Sequence, residues 1–259
     1  MEFKTISLSK ENLTSILTLN RPQAMNALNA ELIEEMGMAL DIIAGDEETR
    51  VLIITGGDKV FAAGGDIKAM MECDPLGAKA YVTPIHQVFN KIASLSKPTI
   101  AAICGYALGG GVELAAACDF RIAGDDASFG FPEINLGIFP AAGGSQRIPR
   151  LIGLARTKEL MFTGDIIDAS KALAIGLVNQ VVPRQEVNEE AKKLASKLGS
   201  KAPLALSYVK NSIQAGLDTD IGTGLMQELE KLMLLFSTQD QKEGMRAFIE
   251  RRKPVFTGK

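Results

Sequence analysis

The sequence predicts an α/β fold that runs into a helical C-terminal region, and three observations carry that prediction. β-Branched runs at Val51–Thr55 and Thr99–Cys104 each stop at glycine, and segments of helical spacing lie between such runs. After about residue 190, helical patterns follow one another with no strand pattern beyond Val178–Val182. Continuous apolar runs suit strands covered on both faces, so the alternation implies βα units around a mainly parallel layer. The expected organisation is an α/β core over residues 1–190 and a helical region over 191–259.

The elements follow in order. Residues 3–9 and 14–19 predict two short strands around a polar turn at Glu11-Asn12, and Asn20-Arg21-Pro22 breaks the pattern. Asn29–Ala44 carries Leu32, Met36, Leu40 and Ile43 on one helical stripe. Further helices are expected over Pro84–Leu95 and Gly111–Cys118, with a third buried strand at Phe120–Ala123. The C-terminal helices are expected at Glu189–Gly199, Pro203–Ala215, Gly222–Leu235 and, with a basic character, Lys242–Arg252.

Composition bounds the function. The 259 residues are 46% hydrophobic and 23% charged, with a net charge of −3, which suits a folded soluble chain. An acidic balance argues against a general nucleic-acid binder, because phosphate neutralisation calls for a basic surface. No basic run leads into an apolar N-terminal stretch, and no apolar run approaches a membrane span, so a cytoplasmic protein with no membrane partner is expected. Cys73, Cys104 and Cys118 lack metal-ligand or CxxC spacing and are expected as reduced thiols.

Three loops have the composition for chemistry. In Phe61-Ala62-Ala63-Gly64-Gly65-Asp66-Ile67-Lys68, two readings stand. One is an ordinary turn with Asp66 capping a helix; the other is a loop whose glycines admit a ligand to a bare N–H. In Gly105-Tyr106-Ala107-Leu108-Gly109-Gly110-Gly111-Val112-Glu113, the helix that starts here points its positive end at whatever the loop holds. That loop has neither the GxxxxGK[ST] nor the GxGxxG order, and Glu113 also fits the first turn for dipole reasons alone. The third loop runs from Phe129 to Gly144, where Glu133 is a lone carboxylate among apolar residues behind Pro132. It reads as a solvated loop residue or as a carboxyl tuned for proton transfer by its surroundings.

Other candidates do not compete. His86 is the only histidine and lacks a paired Ser or Cys motif, which argues against a Ser-His-Asp hydrolase; a structural or surface role is expected. No His, Asp and Glu cluster has metal spacing. Arg246, Arg251, Arg252 and Lys253 suit a solvated helix end, or a place to receive phosphates.

Together these segments, with Asn20-Arg21-Pro22-Gln23-Ala24-Met25-Asn26-Ala27-Leu28 before them and Asp240-Gln241-Lys242-Glu243-Gly244-Met245 and Phe248 after, resemble the crotonase (enoyl-CoA hydratase/isomerase) family. The resemblance spans essentially the whole chain. It implies a crotonase (ClpP-like) spiral of ββα units whose helical C-terminal region packs in a homotrimer or dimer of trimers. It further implies an acyl-CoA substrate and no separate cofactor, coenzyme A being part of the substrate.

Carried over position by position, Gly65 and Gly110 match the oxyanion-hole amides, and Glu113 and Glu133 the two catalytic glutamates. Ala24, Met25, Ala63, Asp66, Ile67, Lys68, Ala141, Phe248 and Arg251 fall where the family lines the substrate and CoA site. Three positions depart from the family pattern. Gly65 stands where Ala is frequent, Arg251 where Lys is frequent, and Ala141 where a Gly N–H helps hold the water.

The chemistry suits those residues. An enoyl thioester is polarised when its oxygen accepts two N–H bonds, and attack at the β-carbon builds enolate charge there. Two carboxylates facing one water supply both proton transfers, with Glu113 assigned as base and Glu133 as donor to the α-carbon. The presence of both favours hydration over double-bond isomerisation, the nearest alternative; a cyclic enoyl-CoA and a non-catalytic CoA- or RNA-binding role are the others. The acyl pocket is expected between Met70 and Val82 and around Phe131 and Phe139.

Overall fold

A computed structural model describes residues 3–259. Strands β1 (Ile6–Glu11) and β2 (Thr14–Leu19) pair antiparallel through a turn at Asn12-Leu13. The first strand therefore begins and ends later than the predicted 3–9, because Asn12, at φ 52°, supplies the left-handed residue that the turn needs. Helix α1 (Ala30–Gly45) starts where Asn29 Oδ1 accepts the Leu32 N–H at 3.0 Å. It leads into β3 (Val51–Thr55), followed by the single turn α2 (Ile67–Met70) and the long α3 (Pro75–Ser94).

Helix α3 begins nine residues before the predicted Pro84. Asp74 caps it through the Gly77 N–H at 2.7 Å, and Pro75 takes the first-turn position. Pro84 sits inside the helix and costs it one backbone bond.

Next come β4 (Thr99–Ile103), β5 (Tyr106–Leu108), α4 (Gly110–Ala117), β6 (Phe120–Gly124) and β7 (Ser128–Gly130). Then follow α5 (Gly144–Ile152), α6 (Leu154–Thr163), β8 (Ile166–Asp168), α7 (Ala169–Ala174) and β9 (Gln180–Val182). The chain finishes with α8 (Val187–Gly199), α9 (Pro203–Gly216), α10 (Ile221–Leu235) and α11 (Gln239–Ile249). The last helix is displaced from the predicted Lys242–Arg252. Thr238 caps its start through the Gln241 N–H, and Arg251 is left-handed at φ 56°, beyond its end.

The main sheet has the order β1-β2-β3-β4-β6-β9, parallel from β2 onward, and a smaller sheet has the order β5-β7-β8. Strand β3 explains why its run is continuously apolar. Leu52 and Ile54 join the core shared with α1 and α3, while Val51 and Ile53 join a second core on the opposite face. That second core is closed by Val187, Ala191 and Ala195 of α8. Helix α8 thus begins before residue 190 and belongs to the layers over the sheet; the segment that leaves the sheet starts with α9.

Candidate active site

The three sequence loops converge at one end of the sheets. Backbone bonds from Ala62 N–H to Tyr106 O (3.1 Å) and from Leu108 N–H to Ala62 O (3.0 Å) tie the first loop to β5. Leu28 grips the first loop from the other side: its N–H donates to Gly64 O at 2.8 Å and its carbonyl accepts the Asp66 N–H at 3.2 Å. These bonds bracket Gly65 and leave its own N–H without an acceptor among the described residues. Gly110 opens α4, so its N–H has no intrahelical partner either. A β-carbon built on Gly110 would lie 3.6 Å from Gly65 N, so the two open amides are close neighbours.

Glu113 sits one turn into α4 and is 2% exposed. Its Oε1 accepts N–H bonds from Ala142 (2.7 Å) and Gly144 (2.6 Å) of the third loop. Burial pushes its carboxyl up to about 7; the nearby Glu133 adds to the rise, while the Gly144 and Ala142 N–H bonds and the Arg147 guanidinium oppose it. Glu133 lies in a 3-10 turn, Pro132–Leu136, and burial raises its carboxyl as well. Its Oε2 is buried with no hydrogen-bond partner among the described residues. Both carboxyls and both open amides line one cavity of about 460 Å³.

The apolar wall of that cavity includes Ile67, Met70, Val82, Leu136, Ile138 and Phe139. Phe131 does not contribute to it. Its ring is fully buried in the main core.

The other sequence-derived positions are distributed as follows. Ala63, Ile67 and Ala141 line the cavity. Met25 is half exposed and left-handed, and its carbonyl accepts the Ala63 N–H at 3.0 Å, which places Ala24-Met25 beside the first loop. Asp66 does not cap α2 with its side chain; it lies 3.5 Å from Arg21 Nη2 instead. Lys68 is exposed on α2. Phe248, at 85% exposure, and Arg251 stand on the C-terminal helix and its end, outside the cavity of this chain.

Sequence reasoning missed several contributors. The Ala142 and Gly144 amides hold Glu113, and only the Gly143-Gly144 pair hinted at a tight approach there. Tyr81 Oη accepts the Asp66 N–H at 2.9 Å and donates to Leu28 O, bracing the Gly65 turn. Asn26 Nδ2 donates to the Val60 (2.8 Å) and Phe61 (3.1 Å) carbonyls beneath the same loop. Cys73 reaches the cavity, while Cys104 and Cys118 are buried, free, and raised by burial to about 11 and about 12.

The parallel sheet with its satellite sheet is that of the crotonase class, and it carries two unspent amides and two buried carboxyls around an apolar cavity. Comparison with known proteins agrees. The family model described as Enoyl-CoA hydratase/isomerase matches residues 9–259. The crotonyl-CoA hydratase of Syntrophomonas wolfei is 46% identical over 260 residues, covering 100% of each chain. The short-chain-enoyl-CoA hydratase of Clostridium acetobutylicum is 45% identical over 254 residues, covering 98% of this chain and 97% of its own. The crystal structure of the enoyl-CoA hydratase from Bacillus anthracis superposes with a TM-score of 0.95 at 41% identity, covering 99% of this chain and 100% of that one. This chain belongs to the enoyl-CoA hydratase/isomerase family. Among its described residues no helix is long and apolar enough to cross a membrane.

Proposed function

We propose that the chain is an enoyl-CoA hydratase, a hydro-lyase that adds water across the 2,3 double bond of a 2-enoyl-CoA to give a 3-hydroxyacyl-CoA. The observation that carries this reading is the sharing of one cavity by Glu113, Glu133 and the Gly65 and Gly110 amides. The thioester oxygen accepts from the two amides, which bind the enolate-like transition state better than the neutral carbonyl. Helix α4 adds its positive end at the same point. Glu113 takes a proton from the attacking water, and Glu133 delivers one to the α-carbon. Both carboxyls are raised by burial, which brings proton affinity toward that of the reacting groups. The step needs no separate cofactor, because every proton has a carboxyl to leave from or arrive at. Relatives named as hydratases at 45% and 46% identity support the same reaction.

The exposed apolar residues of α9 and α10 call for covering. Ile221 (80%), Leu225 (56%), Leu229 (58%) and Met233 (66%) recur at four-residue spacing along one side of α10. In the proposed homotrimer or dimer of trimers, other copies cover this stripe, and a neighbouring copy brings Phe248 and Arg251 to the CoA nucleotide. A cytoplasmic site of action goes with this reading.

The test is direct. The protein is incubated with 2-enoyl-CoA thioesters of graded length plus one cyclic member, and loss of the conjugated thioester absorbance is followed. Turnover to the 3-hydroxy product is expected. Conversion of a 3-enoyl-CoA to the conjugated isomer, without hydration, would instead establish an isomerase.

A further inference from the structure

The two peptide groups that hold Glu113 are themselves held in different ways. The peptide that ends in the Gly144 N–H begins with the Gly143 carbonyl, which accepts from Gln146 N (3.1 Å) and Arg147 N (2.8 Å) at the start of α5. A helix terminus fixes that donor. The peptide that ends in the Ala142 N–H begins with the Ala141 carbonyl, which no backbone group reaches among the described residues. Its partner is a side chain: His86 Nε2, presented from α3, donates to Ala141 O. One trans peptide plane therefore connects His86 on one edge to Glu113 Oε1 on the other, the second bond being 2.7 Å long.

We propose that His86 is a positioning residue for Glu113, acting through the Ala141–Ala142 peptide. A carbonyl that accepts a hydrogen bond polarises its peptide, so the opposite N–H becomes a stronger donor. It also fixes the plane, and with it the direction in which Ala142 N–H points. The arrangement is backed from the same helix. Asn90, one turn beyond His86 on α3, accepts from Arg147 Nη2 at 2.5 Å, and Arg147 Nη1 donates to the next carbonyl, Ala142 O, at 3.3 Å. Helix α3 thus braces two successive carbonyls of the loop. Glu113 needs this bracing because burial works against its ionised form, and the N–H bonds from Gly144 and Ala142 are among the few groups opposing that rise. Ala141 lines the cavity, so a rotated peptide would also disturb the space where water is held.

The proposal rests on the reading of Glu113 as the base. The experiment compares His86→Ala and His86→Gln with the parent, measuring kcat, KM and the pH profile with a short 2-enoyl-CoA, alongside thermal unfolding and a Glu113→Gln control. Gln restores an N–H donor at the reach of Nε2. His86→Ala is expected to lower kcat about tenfold, the scale of one neutral hydrogen bond, with KM within about twofold. The weakened Ala142 bond raises the proton affinity of Glu113, so the low-pH limb moves to higher pH; His86→Gln moves it back and recovers most of kcat. The proposal is overturned if His86→Ala keeps kcat within about twofold, or if His86→Gln is as slow as His86→Ala while both unfold at the parent temperature. It is equally overturned if activity falls only with the folded fraction and the limb stays in place. Near-parental turnover by Glu113→Gln would reject the role of Glu113 itself, independently of the His86 results.

Discussion

Gly109 lies directly beneath the carboxylate of Glu133: a β-carbon built there would stand 2.0 Å from Glu133 Oε1 and 2.8 Å from its Cδ. Gly109 also has φ 49° with ψ −118°, a backbone conformation that residues with a side chain rarely adopt. Gly109→Ala is therefore expected to displace Glu133 and lower turnover by at least about 10²-fold, the scale of losing one acid–base group. Steady-state kinetics on the purified variant check this, with circular dichroism confirming that it folds.

Gly65 makes the opposite case. A β-carbon there meets the flexible end of Met70, Cε at 3.0 Å, and the Tyr81 hydroxyl at 3.3 Å. The contribution proposed for Gly65 comes from its backbone N–H, which alanine keeps. Gly65→Ala should hold kcat within about threefold, an effect below that of a lost donor, which costs about 10²–10³. A loss of two orders of magnitude would mean that the amide is misplaced by the added methyl.

The pH dependence follows from Glu113. Its carboxyl is raised by burial to about 7, and the base form is the ionised one. Activity is therefore lost as pH falls through about 7, well above the usual carboxylate range. Glu133, also raised, titrates with it, so the profile reports the pair. A kcat/KM profile flat from pH 8 to about pH 5 contradicts this assignment.

Stability carries the reverse sign. A carboxyl raised in the folded state binds more protons there than in the unfolded chain between the ordinary value, 4.5, and about 7. Stability from this group thus rises as pH falls through that window, and above it the buried charge is a cost. Glu113→Gln removes the charge and leaves an oxygen to accept the Ala142 and Gly144 N–H bonds. The variant is expected to be more stable than the parent at pH 8, by about 1–3 kcal/mol, and by less at pH 5. Denaturant unfolding at both pH values measures the difference.

How much of this was legible in the sequence depends on range. Buried strands such as Val51–Thr55 announce themselves because both faces need apolar residues, and α1 because its stripe repeats over sixteen residues, Ala30–Gly45. Strands β5, β7 and β8 have three residues each, too few for any period to show. The start of α3 was hidden by Pro84, whose local preference is overridden by the packing of Ile85, Val88, Phe89 and Ile92 on the core. In the site, Glu113 and Glu133 were legible as carboxyls out of place among glycines and apolar residues. The partners of Glu113 were not: the Ala142 amide contributes through backbone, which carries no side-chain signature, and His86 is 55 residues from the Ala141 carbonyl it meets.

Whether the two buried carboxyls act together on one water is read from turnover of a short 2-enoyl-CoA by Glu113→Gln and Glu133→Gln. Each substitution preserves shape and removes one ionisable group. Each variant is expected to lose at least about 10²-fold in kcat with KM little changed, because the amides proposed to bind the thioester are untouched. Near-parental kcat in either variant would contradict that joint action.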